Sequence, residues 1–228
     1  MRWLRADDPG FPPVSTAPAD APLAAGGDLH PRRLLHAYSL GIFPWFNEPP
    51  ILWWSPDPRM MVAPGAVRIN RSLAKGLRRT PWRISFDRAF GEVIRACAAP
   101  RRTAQGTWLS AEMIAAYEEL HRLGFAHSVE CWQDTALVGG LYGVALGGAF
   151  FGESMFSLTA NASKIAFVRL AAVLAAWNFS LIDCQVSSPH MASLGAIALP
   201  RETFLVRLRD ALDAPTRRGS WHDITESQ

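Results

Sequence analysis

The stretch from Asn161 to Gln185 constrains this chain more than any other. Asn161-Ala162-Ser163-Lys164 carries a helix-start signal, and the segment Ile165 to Trp177 behind it is apolar at nearly every position. A helix that is apolar on almost every side must be buried or line a pocket. Directly after it, an apolar run near 179–184 reads as a buried strand ending in Asp183 and Gln185, with a Ser-Pro-His turn close behind. A buried helix followed by a buried strand requires other layers to cover both.

Those layers are present. Strands are expected near 60–69, 82–86, 126–132, 136–144 and 148–152, and helices near 70–78, 87–98, 110–123 and 201–212. The glycines of Leu137 to Gly148 fit bends or bulges in a sheet. The alternation gives an α+β domain with α/β-like order. Residues 1–28 are rich in Pro, Ala and Gly. Asp28 is expected to cap a helix from about Pro31 to Leu40, with Gly41 after its end. Between Gly41 and Arg59 the chain is dense in aromatic residues and proline, so it reads as irregular, extended chain. A boundary near residue 60 divides a small N-terminal domain, 1–60, from a larger one, 61–228.

At 228 residues, this composition supports a sizeable core without disulfides or metals. Cys97, Cys131 and Cys184 are too scattered for a disulfide framework or a zinc site, and His127 with Glu130 lacks a third metal ligand at workable spacing. The N-terminus has no signal-peptide core and no run reaches membrane-spanning length, so the expectation is a cytoplasmic protein without a membrane partner. A formal charge of +3 is compatible with a polyanion but does not single one out.

Three constellations could carry chemistry. In a strand, side chains two apart share a face, so Asp183 and Gln185 would project together. Glu153 lies among aromatic residues in Phe150-Phe151-Gly152-Glu153-Ser154-Met155-Phe156-Ser157. Two carboxylates and an amide in apolar surroundings suit the binding and activation of an amine. The competing reading is that each carboxylate caps a turn or pairs with an Arg. Second, Arg71, Lys75, Arg78 and Arg79 are spaced by three and four on one expected helix, a stripe suited to phosphates or merely to water. Third, Trp45 and Trp108 look like loop-presented rings on which bases could stack, whereas Trp53 and Trp54 fit simple packing. Cys184 should face away from Asp183 and Gln185 as an inert buried thiol.

Several strings together resemble the leucyl/phenylalanyl-tRNA–protein transferase family. They are Gly26-Gly27-Asp28-Leu29, Gly41-Ile42-Phe43-Pro44-Trp45-Phe46, Trp53-Trp54-Ser55-Pro56-Asp57-Pro58-Arg59 and Gly106-Thr107-Trp108. They continue with Gly152-Glu153-Ser154-Met155-Phe156-Ser157, Asn161-Ala162-Ser163-Lys164, Asp183-Cys184-Gln185 and Ser193-Leu194-Gly195-Ala196, covering about 11–205 in order. The resemblance implies transfer of Leu or Phe, less readily Met, from aminoacyl-tRNA to proteins beginning with Lys or Arg, tagging them for N-end-rule degradation. It further implies a GNAT-like acyltransferase domain with a mixed central sheet, no cofactor and no metal; a monomer is expected.

By the same resemblance, Asp183, Gln185 and Glu153 are the catalytic residues. Trp45 and Trp108 hold the 3′ adenosine; Leu141, Phe150, Met155, Leu170, Leu174 and Ile182 form the aminoacyl pocket; Arg71, Lys75, Arg78 and Arg79 meet the tRNA backbone. Leu158 stands where the family commonly has Arg. The expected chemistry has Gln185 accept a hydrogen bond from the amine while Asp183 polarises Gln185. An acetyl-CoA-dependent acetyltransferase would need a pyrophosphate loop absent from the chain. A non-catalytic RNA-binding module would not explain the acid–amide pair, and a thiol hydrolase would need a reactive Cys184.

Overall fold

The computed structural model describes residues 1–5, 7, 10–79, 82–99 and 109–224. A small sheet is formed by β1 (Arg2–Leu4), β2 (Ala24–Gly26), β3 (Phe43–Pro44) and β4 (Leu52–Trp54) in the order β1-β2-β4-β3, with α1 (Pro31–Ser39) leading into β3. A larger sheet contains β5 (Arg59–Val62), β6 (Arg83–Phe86), β7 (Ala126–Gln133), β8 (Ala136–Leu146), β9 (Ala149–Ser157), β10 (Leu181–Gln185) and β11 (Ile197–Leu199). Its order is β11-β5-β10-β9-β8-β7-β6. Around the sheets run α2 (Arg71–Arg79), α3 (Phe90–Ala98), α4 (Ala111–Arg122), α5 (Ala162–Ala176), α6 (Pro189–Ser193) and α7 (Arg201–Leu212). The mixed α+β fold is the one the sequence leads one to expect; the small N-terminal sheet is not among the expected elements.

Strand alternation sorts the two cores. Met61, Tyr142, Val144, Phe151 and Leu181 face one side and pack with α1, α3, α4, α7 and the small sheet. Met60, Val62, Val129, Leu141, Phe150 and Ile182 face the other side and pack with α5. Buried residues occur all around α5, including Phe167, Leu170 and Leu174. Burial of each such side chain stabilises by about 1.5–3 kcal/mol, which outweighs the lack of a polar face on that helix.

Several local expectations are corrected. The first strand of the large sheet stops at Val62, because Pro64 opens a single-turn helix that cannot join a ladder. The aromatic stretch 41–59 is not wholly irregular: it contributes β3 and β4, which pair Phe43 with Trp54. His30, not Asp28, caps α1, its ring nitrogen accepting the Arg32 N–H at 3.2 Å. Asp28 instead accepts the His30 N–H and binds Arg33. At the start of α5, Asn161 makes no side-chain cap; Ser157 Oγ, from the end of β9, accepts the Ser163 N–H at 3.2 Å. Glu130 is a buried cap, accepting from Ser85, Ser128 and the Ala89 N–H at the start of α3.

One irregularity positions everything that follows. In the large sheet β9 and β10 are parallel, and they pair only through Leu181↔Ala149, Ile182↔Phe150 and Asp183↔Phe151. Just beyond, both strands bulge. Glu153 is the extra residue between Gly152 and Ser154 opposite β8, and Cys184 is the extra residue between Asp183 and Gln185 opposite β5. Bulges bend strands and re-aim side chains, so two of them at one level part the pair. Gly143, opposite the first bulge, is tightly constrained: a Cβ there would lie 2.2 Å from the Phe151 carbonyl oxygen.

Candidate active site

The gap between β9 and β10 is lined by polar groups of two kinds. Asp183, on the last paired rung, is fully buried and holds Arg59 through two bonds: Nε to Oδ1 at 2.9 Å and Nη2 to Oδ2 at 2.6 Å. The remaining Arg59 nitrogen donates to the Gly41 carbonyl at 3.1 Å, and its guanidinium lies 4.6 Å from the Phe43 ring centre and 4.8 Å from that of Phe204. Bidentate geometry, extra hydrogen bonds and flanking rings are what a buried ion pair needs to survive desolvation. Here the Arg-pairing alternative for Asp183 holds.

The same carboxylate shapes the next turn. Gln185 has φ of 59°, a left-handed conformation unusual for a non-glycine residue, and its N–H donates to Asp183 Oδ1 at 2.8 Å. The bulge and this φ break simple alternation, so the shared face expected for Asp183 and Gln185 from a period of two is replaced. Asp183 grips the Gln185 backbone, while the Gln185 side chain turns into the gap and donates from Nε2 to Glu153 Oε1 at 3.0 Å. The carboxylate on the Gln185 amide is thus Glu153, and the expected polarisation of that amide by Asp183 is corrected.

Glu153 is half-buried, and its other oxygen accepts from the Tyr117 hydroxyl of α4 at 2.8 Å. Tyr117 in turn shares a short hydrogen bond with Tyr38 of α1. Desolvation pushes the Glu153 carboxyl up to about 7, against the bonds from Tyr117 and Tyr38, which favour its charged form. A carboxyl poised near neutrality can take and return a proton.

Beside this pair opens a pocket of about 950 Å³. Leu141, Phe150, Met155 and Ile182 line it, together with Phe167 of α5 and Met191 of α6. Leu170 and Leu174 do not. Both are fully buried one and two turns further along α5, in the core behind the wall. Cys184 also lines the pocket rather than sitting wholly in the core, because the bulge displaces it. Burial, with Asp183 nearby, drives its thiol far above the usual range, so it is no nucleophile at neutral pH.

The remaining expected residues lie apart. Trp45 is 40% exposed beyond β3, its ring 5.3 Å from that of Trp54, and it is not on the pocket wall. Trp108 and the side chain of Arg79 fall outside the described residues. Arg71, Lys75 and Arg78 are exposed along α2, whose Leu73 faces the core. Arg59, Tyr38, Tyr117 and Phe167 were missed as site residues. A polar tip at a core-facing position of α1 or α4 is the signal that marks the two tyrosines; the charge within Trp53-Trp54-Ser55-Pro56-Asp57-Pro58-Arg59 is the one that marks Arg59. Among the described residues no cluster of His, Cys, Asp and Glu could hold a metal ion, and no helix is long and apolar enough to cross a membrane.

Comparison with known proteins is consistent along almost the whole chain. The family model described as leucyl/phenylalanyl-tRNA protein transferase matches residues 61–209, and the model of that family's N-terminal domain matches 27–57. The leucyl/phenylalanyl-tRNA–protein transferase of Nitrosospira multiformis is 57% identical over 222 residues, covering 96% of this chain and 95% of the relative. That of Syntrophotalea carbinolica is 58% identical over 207 residues, 90% of each chain. Among solved structures, that of L-PGS from Bacillus licheniformis overlays 72% of this chain and 58% of its own length, at 13% identity and a TM-score of 0.38. The chain belongs to the leucyl/phenylalanyl-tRNA–protein transferase family, and it is an aminoacyltransferase.

Proposed function

We propose that this enzyme moves Leu or Phe, and less readily Met, from aminoacyl-tRNA to the α-amine of proteins that begin with Lys or Arg, marking them for N-end-rule degradation. One observation carries the reading: the Glu153 carboxyl and the Gln185 carboxamide meet at 3.0 Å beside an apolar pocket. The transferred side chain occupies the slot of Leu141, Phe150, Met155, Ile182 and Phe167. Its ester carbonyl then lies at the mouth, where an amine held by Gln185 Oε1 can reach it.

An aminoacyl ester is already activated, so the protein's task is to place the amine and move protons. The acceptor α-amine titrates near 7.7–8.0, so roughly nine in ten molecules are protonated at neutral pH, and a mild base suffices. Glu153 accepts the ammonium proton; the free amine attacks the ester carbonyl; the C–O bond to the ribose breaks, and the proton that the attacking nitrogen sheds goes to that oxygen, so the tRNA leaves with a free hydroxyl. Asp183 does not take part in proton transfer. It is a positioning residue, holding the turn that aims Gln185. Most of the acceleration comes from holding the reacting atoms together.

Trp45 and Trp108 are proposed to hold the terminal adenosine, and Arg71, Lys75, Arg78 and Arg79 the tRNA backbone. Incubation with labelled Leu-tRNA and a peptide beginning with Arg tests the reading directly. Label should appear on the peptide. Label that stays on bound tRNA would sink it.

A further inference from the structure

The proposed backbone contacts stop at α2, but the charge does not. α2 and α5 together contain Arg71, Lys75, Arg78, Arg79, Lys164 and Arg169, and no Asp or Glu. Arg71, Lys75, Arg78 and Arg169 are exposed and Lys164 is half-buried. Among the described residues no carboxylate pairs with any of these five side chains.

The two helices touch. A Cβ on Gly76 of α2 would lie 3.8 Å from Ile165 Cδ1 of α5, and Ile165 is only 4% exposed beneath that crossing. Lys164 therefore stands just before the crossing and Arg169 one turn after it. Ser163, the neighbour of Lys164, lines the pocket. Cations of both touching helices thus flank the crossing, and Ser163 brings the start of α5 to the pocket's lip. Unneutralised like charges this close repel one another, and a polyanion lying across them relieves that repulsion.

We propose that Lys164 and Arg169 bind the phosphate backbone of the aminoacyl-tRNA, carrying the contact from α2 across the helix crossing to the pocket mouth. The inference rests on the proposed function and extends its tRNA surface. The alternative is an ordinary solvated helix face, which would leave tRNA binding indifferent to both residues.

The test is the salt dependence of Leu-tRNA binding to the full chain, measured over about 50–200 mM salt. Replacing both residues (Lys164→Gln with Arg169→Gln) should lower the slope of log K against log salt by about 1.5, each single change by about half of that. The charge-conserving pair Lys164→Arg with Arg169→Lys should keep the wild-type slope. Arg209→Gln, on α7 across the sheet, shows what the mere loss of a charge does. A double variant whose slope changes no more than that of Arg209→Gln overturns the proposal. Should the double variant unfold by circular dichroism, Arg169→Gln alone decides, since that side chain is exposed. A wild-type chain that binds no tRNA would sink the parent reading instead. A slope lowered by Arg71→Gln with Lys75→Gln but not by the α5 changes would sink only this one.

Discussion

Asp183 and Glu153 stand on neighbouring strands at the two sides of one gap, and the fold treats them oppositely. Asp183 is saturated: both oxygens hold Arg59, one also takes the Gln185 N–H, and no part of the residue reaches solvent. Glu153 has a tyrosine on one oxygen and an amide on the other, with no cation bonded to it among the described residues, and it faces the pocket. A carboxylate locked by a bidentate guanidinium is a fixed charge that shapes the backbone. One desolvated and bound only by neutral donors stays near the point where it exchanges a proton. Asp183 is built into the scaffold, whereas Glu153 faces the pocket in the position the proposed chemistry needs.

The sharpest way to break this contrast is to open the closed side. Asp183→Ala leaves the Arg59 guanidinium buried and unpaired, and should cost about 3–5 kcal/mol of stability in urea denaturation. Replacing both partners by apolar residues, Arg59→Met with Asp183→Leu, should restore much of that loss, because no charge is then left unpaired. A single variant as stable as wild type would mean that the pair does not hold the turn.

On the open side, Glu153→Gln should slow transfer by about 10²–10⁴-fold. The wild-type rate should rise as pH passes through about 7, where Glu153 loses its proton, and the variant should lack that inflection. Stability moves in the reverse sense. Because the folded-state value is raised from 4.5 to about 7, the contribution of Glu153 is fully present below 4.5 and is lost as pH climbs towards 7. Glu153→Gln should therefore gain on wild type across that window and hold its gain above it. Thermal unfolding at pH 4, 6 and 8 (about one unit or less from the window's edges) would expose the opposite trend.

Smaller effects refine the picture. Phe167→Leu alters the pocket wall without touching the gap, and should shift the Leu-to-Phe ratio of kcat/KM by about 1–3 kcal/mol, roughly 10–200-fold. An unchanged ratio would remove Phe167 from the wall. Tyr117→Phe deletes one bond that favours charged Glu153. It should cost about 1 kcal/mol of stability and move the pH inflection upward, and a downward move would contradict the assigned donor.

Much of the scaffold was legible because it depends on local periodicity. The helix from Ala162 to Ala176 follows from its apolar run, the stripe on α2 from spacings of three and four, and most strand positions from apolar runs bounded by turns. Asp183, Gln185 and Glu153 stood out as polar residues in apolar company, which burial energetics makes visible without coordinates. The wiring between them was not legible. Strand alternation places Asp183 and Gln185 on one face, and a single extra residue, Cys184, undoes that arithmetic. Likewise the family resemblance implied Leu170 and Leu174 as pocket residues, but which turn of a wholly apolar helix meets the pocket depends on how the strands beneath it are arranged.

Short-range pattern was enough to say which segments are helix or strand, which residues must be buried, and which acids would be expensive there. It is enough because helix and strand periods, and the cost of burying charge, are properties of neighbouring residues. Only the assembled fold decided that Arg59, 124 residues from Asp183, would neutralise it, and that tyrosines from two separate helices would reach Glu153. Those choices hang on how two bulged strands part and what packs against them, and no local spacing encodes contacts between segments so far apart.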